Sequence, residues 1–166
     1  IRGPAVRLLR ETARLSDITV FEPARMLAPP SARLAGARRS PPRIVVAMTD
    51  LAAGRMALLA AFHLAEGDAR RISVLAAADL ARDQPALERL FRELLPAQPL
   101  RVRVVPPDGG MRGLVGAAQA EGAALFVCAA TEELLEQANL QVLREKLRCP
   151  ICLVRQWDER RNPSVY

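Results

Sequence analysis

The chain has 166 residues, 51% hydrophobic and 25% charged, which supplies the core of one α/β domain and is too apolar for a disordered tail. No charge-free stretch approaches the roughly 20 apolar residues of a membrane-spanning helix, and no secretory signal pattern opens the chain; its first residue, Ile1 rather than Met, reads as a cut from a longer protein. The formal charge of +6 comes from 24 basic against 18 acidic residues, yet every basic residue except Lys146 is an arginine, and they are scattered without interleaved aromatics. That pattern argues against a nucleic-acid face.

Residues 1–42 stand apart from the rest of the chain. Leu8, Leu9 and Ala13 predict a helix and residues 18–21 a strand, before an Arg-, Ala- and Pro-rich connector. The helix–strand order echoes residues 111–130, so the segment reads as the tail of a preceding similar domain, as an arm on the sheet edge, or as coincidence. From residue 43 to 155 short apolar strands alternate with amphipathic helices. The first strand spans 44–48. A helix over 51–66 comes next, with Met56, Leu59 and His63 on one face and Gly67 ending it. The second strand is 72–76. Asp83 caps a helix whose Leu87, Leu90, Phe91, Leu94 and Leu95 share a face, and Pro96 stops it. The third strand covers 100–105. Asp108, ahead of Gly109 and Gly110, caps a helix over 111–121, and the fourth strand is 123–128. Thr131 caps a helix through 147, the fifth strand spans 150–154, and 156–166 form a C-terminal tail.

This alternation demands a parallel sheet with helices on both faces, a doubly wound three-layer α/β/α sandwich whose strands are apolar throughout. Ligands of such sheets sit beyond the carboxyl ends of the strands, where strand order reverses. Attention therefore falls on the loops 49–54 and 129–133. Three cysteines, Cys128, Cys149 and Cys152, are too few for a secreted disulfide framework and point to a reducing, cytoplasmic setting. Cys149 and Cys152 form a CxxC, but the pair opens a buried strand, where residues three apart face opposite ways; a structural role is expected.

Residues 43–50 with the Ala- and Leu-rich helix after them, the Asp108–Gly110 turn, the strand entry at 121–127 and the closing run 147–155 together resemble a universal stress protein domain. The resemblance covers 43–155. It implies a Rossmann-like five-stranded parallel sheet in the order 3-2-1-4-5, and dimerisation through the fifth strand, here Pro150, Ile151, Cys152, Leu153 and Val154. An apolar strand with one unpaired edge is a template for such pairing. In members that bind ATP, an Asp after the first strand holds the adenosine, and Asp50 matches it. Met48 and Ala76, ending the first two strands, would complete that contact if a nucleotide binds.

The family's phosphate loop comes after the fourth strand as G-x-x-G-x9-G-[ST], and this chain departs from it: from 123 to 166 there is no glycine. A phosphate cradle needs converging backbone N–H groups, commonly at positive φ that glycine adopts cheaply. Here Glu132 and Glu133 stand at the expected helix N-terminus and would repel a polyphosphate. Asp50 caps its helix whether or not a ligand is present. His63 has no second histidine with which to share a metal, so it reads as a packed or boundary residue. No nucleophile elbow, P-loop or paired-His motif marks an enzyme. The expectation is a noncatalytic binding or regulatory module in stress response, without cofactor, acting by homodimerisation or protein contact. The alternative is an ATP- or AMP-binding stress sensor that uses Asp50 and the loops after strands 1 and 4.

Overall fold

A computed structural model describes Ile18–Phe21 and residues 42–155. The elements in chain order are β1 (Ile18–Phe21), β2 (Arg43–Met48), α1 (Leu51–Leu64), β3 (Ile72–Ala77), the single turn α2 (Ala78–Ala81), α3 (Gln84–Leu94), β4 (Arg101–Val105), α4 (Gly110–Ala120), β5 (Ala123–Ala129), α5 (Gln137–Lys146) and β6 (Ile151–Val154). They form a six-stranded sheet in the order β1-β6-β5-β2-β3-β4. Counted from β2, the parallel part is the expected order 3-2-1-4-5, and the chain has the doubly wound α/β fold.

Alternation along the buried strands sends successive side chains into two cores. Val45, Ala47, Leu75, Phe126, Ile151 and Leu153 meet α4 and α5 on one face. Ile44, Val46, Met48, Val74, Val127 and Cys152 meet α1 and α3 on the other. Cys149 and Cys152 belong to opposite cores, and all three cysteines are free thiols, consistent with the structural reading of the CxxC.

The sixth strand changes the expected edge. β1 runs antiparallel to β6, pairing Ile18 with Val154 and Phe21 with Ile151. Ile18–Phe21 is a strand, as expected, and lies at the sheet edge. Residues 1–17, 22–41 and 156–166, with the predicted N-terminal helix, connector and tail, lie outside the described residues. The strand Pro150–Val154 was expected to offer an open dimer edge, and this is corrected: Ile151–Val154 is hydrogen-bonded to β5 on one side and to β1 of the same chain on the other. Its peptide groups are already used.

Four local expectations also change. α1 buries Ala53, Gly54, Ala57, Leu58 and Ala61 rather than the Met56–Leu59–His63 face, and His63 is exposed. Small side chains let the helix approach the sheet closely: a Cβ added at Gly54 would lie 2.5 Å from Met48 Cε. Thr131 does not start a long helix. Residues 132–136 make turns, and α5 begins at Gln137. Asp108 sits in a 3-10 turn and gives α4 no side-chain cap. β4 is not apolar throughout; it alternates Arg101, Val102, Arg103 and Val104, all exposed, as suits an edge strand.

Candidate functional site

Strand order reverses between β2 and β5: the chain leaves β2 for α1 on one face and β5 for α5 on the other. A ligand crevice is expected over these two carboxyl ends. Asp50 lies at its lip, exposed and in extended conformation (φ −149°, ψ 148°), and its Oδ1 accepts a hydrogen bond from Ala53 N at 3.0 Å. This is helix capping, as its position predicts. Met48 and Ala76 are Cα partners in the β2–β3 ladder, so the sheet brings the three residues to one edge. Both Met48 and Ala76 are fully buried, however, and Met48 packs into the α1-side core.

A small cavity lies at these carboxyl ends. Ala47, Thr49, Met111, Phe126, Cys128 and Leu134 are among the residues around a cavity of about 10 Å³, at the lower limit of what holds one water. Met111 reaches in from the first turn of α4, and Leu134 from the turn after β5.

That turn also uses its own backbone donors. Thr131 Oγ1 accepts from Leu134 N at 3.2 Å, and Thr131 O accepts from Leu135 N at 2.9 Å. Thr131 N donates to Ala129 O at 2.9 Å, Glu136 N to Glu133 O at 3.2 Å, and Ala130 N to Val154 O at 2.7 Å. Asn139 Nδ2 ties the turn to α5 by donating to Glu133 O at 2.8 Å. Leu134 and Leu135 are buried, whereas Glu132 and Glu133 are exposed. The Ala130, Thr131, Leu134, Leu135 and Glu136 amides thus serve carbonyls and a hydroxyl of the loop and of β6, with apolar side chains turned inward.

The thiols are unreactive by environment. Burial pushes Cys149 up to about 11, and it raises Cys152 as well. Cys128 is raised further, by burial first and by its neighbour Cys152 second. At neutral pH all three stay protonated, and the thiolate is the nucleophilic form. No group of three or more His, Cys, Asp and Glu residues that could hold a metal occurs among the described residues.

A second cluster escaped the sequence reading. At the amino-terminal end of the parallel strands, Glu121 turns a side chain only 4% exposed toward three arginines. Oε2 lies 3.4 Å from Arg43 Nη1 and 3.4 Å from Arg101 Nε, and Oε1 lies 3.7 Å from Arg103 Nη1. Ser73 Oγ donates to Oε2 at 3.2 Å and accepts from Arg43 Nη1 at 3.2 Å. The available signal was positional: Arg43 and Arg101 each open a strand, and Arg101 and Arg103 share one face of β4.

No protein-family model matches the chain, and no curated protein matches it. Among solved structures, a universal stress protein crystallised in complex with cAMP is similar at 18% identity and a TM-score of 0.46, covering 70% of this chain and 98% of that one. The doubly wound fold of this chain rests on its own strand order and register.

Proposed function

We infer that the chain is a noncatalytic, universal stress protein-like binding and regulatory module in stress response, acting by self-association or contact with another protein and without ATP. One observation supports the reading: Met111 and Leu134 line a cavity of only about 10 Å³ at the carboxyl ends of β2 and β5, and the Thr131, Leu134, Leu135 and Glu136 amides of the adjoining turn are bonded within that turn and to Ala129. A cytoplasmic setting belongs to the same proposal, supported by three free buried thiols. Surfaces that support protein contact lie on the two outer strands, where Ile18 and Val20 of β1 and Val102 and Val104 of β4 are exposed. Self-association through Pro150–Val154 would require β1 to leave β6.

The test is thermal denaturation with and without ATP and AMP. A ligand at about 100 times its Kd stabilises the fold by about 2.7 kcal/mol. The expected result is no shift that depends on Asp50, so that parent and Asp50→Asn respond alike to either nucleotide. A concentration-dependent shift abolished by Asp50→Asn would instead favour the ATP- or AMP-binding sensor.

A further inference from the structure

We propose that the arginine cluster around Glu121 is a binding site for a small phosphate monoester. It lies at the opposite end of the sheet from the candidate crevice, so it stands or falls independently of whether that crevice takes a nucleotide. Charge is the first observation. Three guanidinium groups lie within 4 Å of a single carboxylate, which leaves an excess of positive charge even after the negative carboxyl end of α4 is counted.

Geometry points the same way. The closest approaches, 3.4 to 3.7 Å, are longer than the roughly 2.7–2.9 Å of a well-made charge-assisted bond. One carboxylate offers about four acceptor positions, whereas each guanidinium carries five N–H donors in a fixed fork. Glu121 therefore gathers the three arginines without saturating them. Their side chains stay 32%, 63% and 51% exposed for Arg43, Arg101 and Arg103, open to an incoming anion.

Space is present where the Arg43 and Arg101 donors meet solvent, with Arg103 adding its charge from the neighbouring position on β4. An open cavity of about 370 Å³ lies between Pro42, Arg43, Arg101, Ala120, Gly122 and Ala124, with Glu121 in its wall. Such a volume accepts a phosphate and a few attached carbons. Gly122 (φ +68°) has nothing within 4 Å of where a Cβ would stand, so the mouth is unobstructed there. Arginine forks match the oxygens of a phosphate dianion, and the small side chains of Pro42, Ala120 and Ala124 supply an apolar wall without an aromatic platform for a base. In the bound state the phosphate takes up the donors Glu121 leaves free, while Ser73 and Glu121 keep Arg43 in place from below.

The experiment is calorimetric titration of the chain with inorganic phosphate and with glycerol 3-phosphate, each against chloride at matched ionic strength. Saturable binding of both phosphates is expected, with a Kd of about 1 mM or tighter. The double variant R101Q/R103Q, altered at two exposed edge-strand positions, should weaken binding at least about tenfold while keeping its circular dichroism spectrum. Glu121→Gln should tighten it by removing the competing carboxylate; should that variant not fold, the arginine pair alone decides. Absence of saturable binding up to about 10 mM phosphate, or equal binding by R101Q/R103Q, would overturn the proposal.

Discussion

Thr19 offers a sharp test of how β1 is seated. Its side chain lies opposite Leu153 in the antiparallel ladder, the residue is 8% exposed, and Oγ1 has no hydrogen-bond partner among the described residues. A hydroxyl removed from water without compensation costs about 1–3 kcal/mol in protein mutational data. Thr19→Val keeps the branched shape that suits a strand and replaces the hydroxyl with a methyl, worth at most about 0.8 kcal/mol of extra apolar burial. The substitution should therefore stabilise the chain by about 1–2 kcal/mol, against the usual direction of core mutations. Urea denaturation followed by circular dichroism should show a higher midpoint at unchanged slope, and Tm should rise by about 2–4 °C per kcal/mol. Val20→Thr, on the exposed face of the same strand at 62% exposure, should stay within about 0.5 kcal/mol of the parent. A neutral or destabilising Thr19→Val would refute the reasoning, because it would mean that the hydroxyl is satisfied or that β1 does not lie on β6.

The cores and caps give further expected outcomes. Gly54→Val should destabilise by about 2 kcal/mol or more, because its first carbon already meets Met48 at 2.5 Å; chemical denaturation measures it. Asp50→Ala should cost about 1 kcal/mol through loss of the Ala53 N bond, with no change in response to ATP. The thiols set an alkaline limit. Cys149 moves from 9.0 to about 11 on folding, so the unfolded chain loses its proton first. Its contribution is intact below pH 9 and is lost as pH rises toward 11, at about 1.4 kcal/mol per pH unit at most. Urea midpoints at neutral and alkaline pH should fall less steeply for Cys149→Ala than for the parent.

The parallel sheet was legible because each β-rich run is bounded by a turn signal and followed by a helical pattern, and because parallel strands buried on both faces leave little ambiguity. Asp50 and Asp83 were readable as caps, since capping needs only a residue and its third neighbour. Other features depended on partners distant in sequence. Whether β6 kept a free edge turned on Ile18–Phe21, more than a hundred residues away, and no local pattern states that pairing. The buried face of α1 was misassigned because Ala53, Gly54, Ala57 and Ala61 carry little hydrophobic signal beside Met56 and Leu59, yet their smallness is what brings the helix onto the sheet. In the candidate crevice the missing glycines were visible, but the approach of Met111 and Leu134 to the ends of β2 and β5 was not. The Glu121 cluster gathers residues from three strands and a helix end, so its members looked like scattered charges.

Whether the crevice over β2 and β5 is sealed by the chain itself is best decided by amide-resolved NMR during titration with ATP. Signals of Thr49, Asp50 and residues 129–133 should hold their positions at millimolar nucleotide, with any shifts confined to the neighbourhood of Arg43, Arg101 and Gly122. Saturable movement of Thr49, Asp50 and Thr131 together would mean that Met111 and Leu134 yield to a ligand, which contradicts the account.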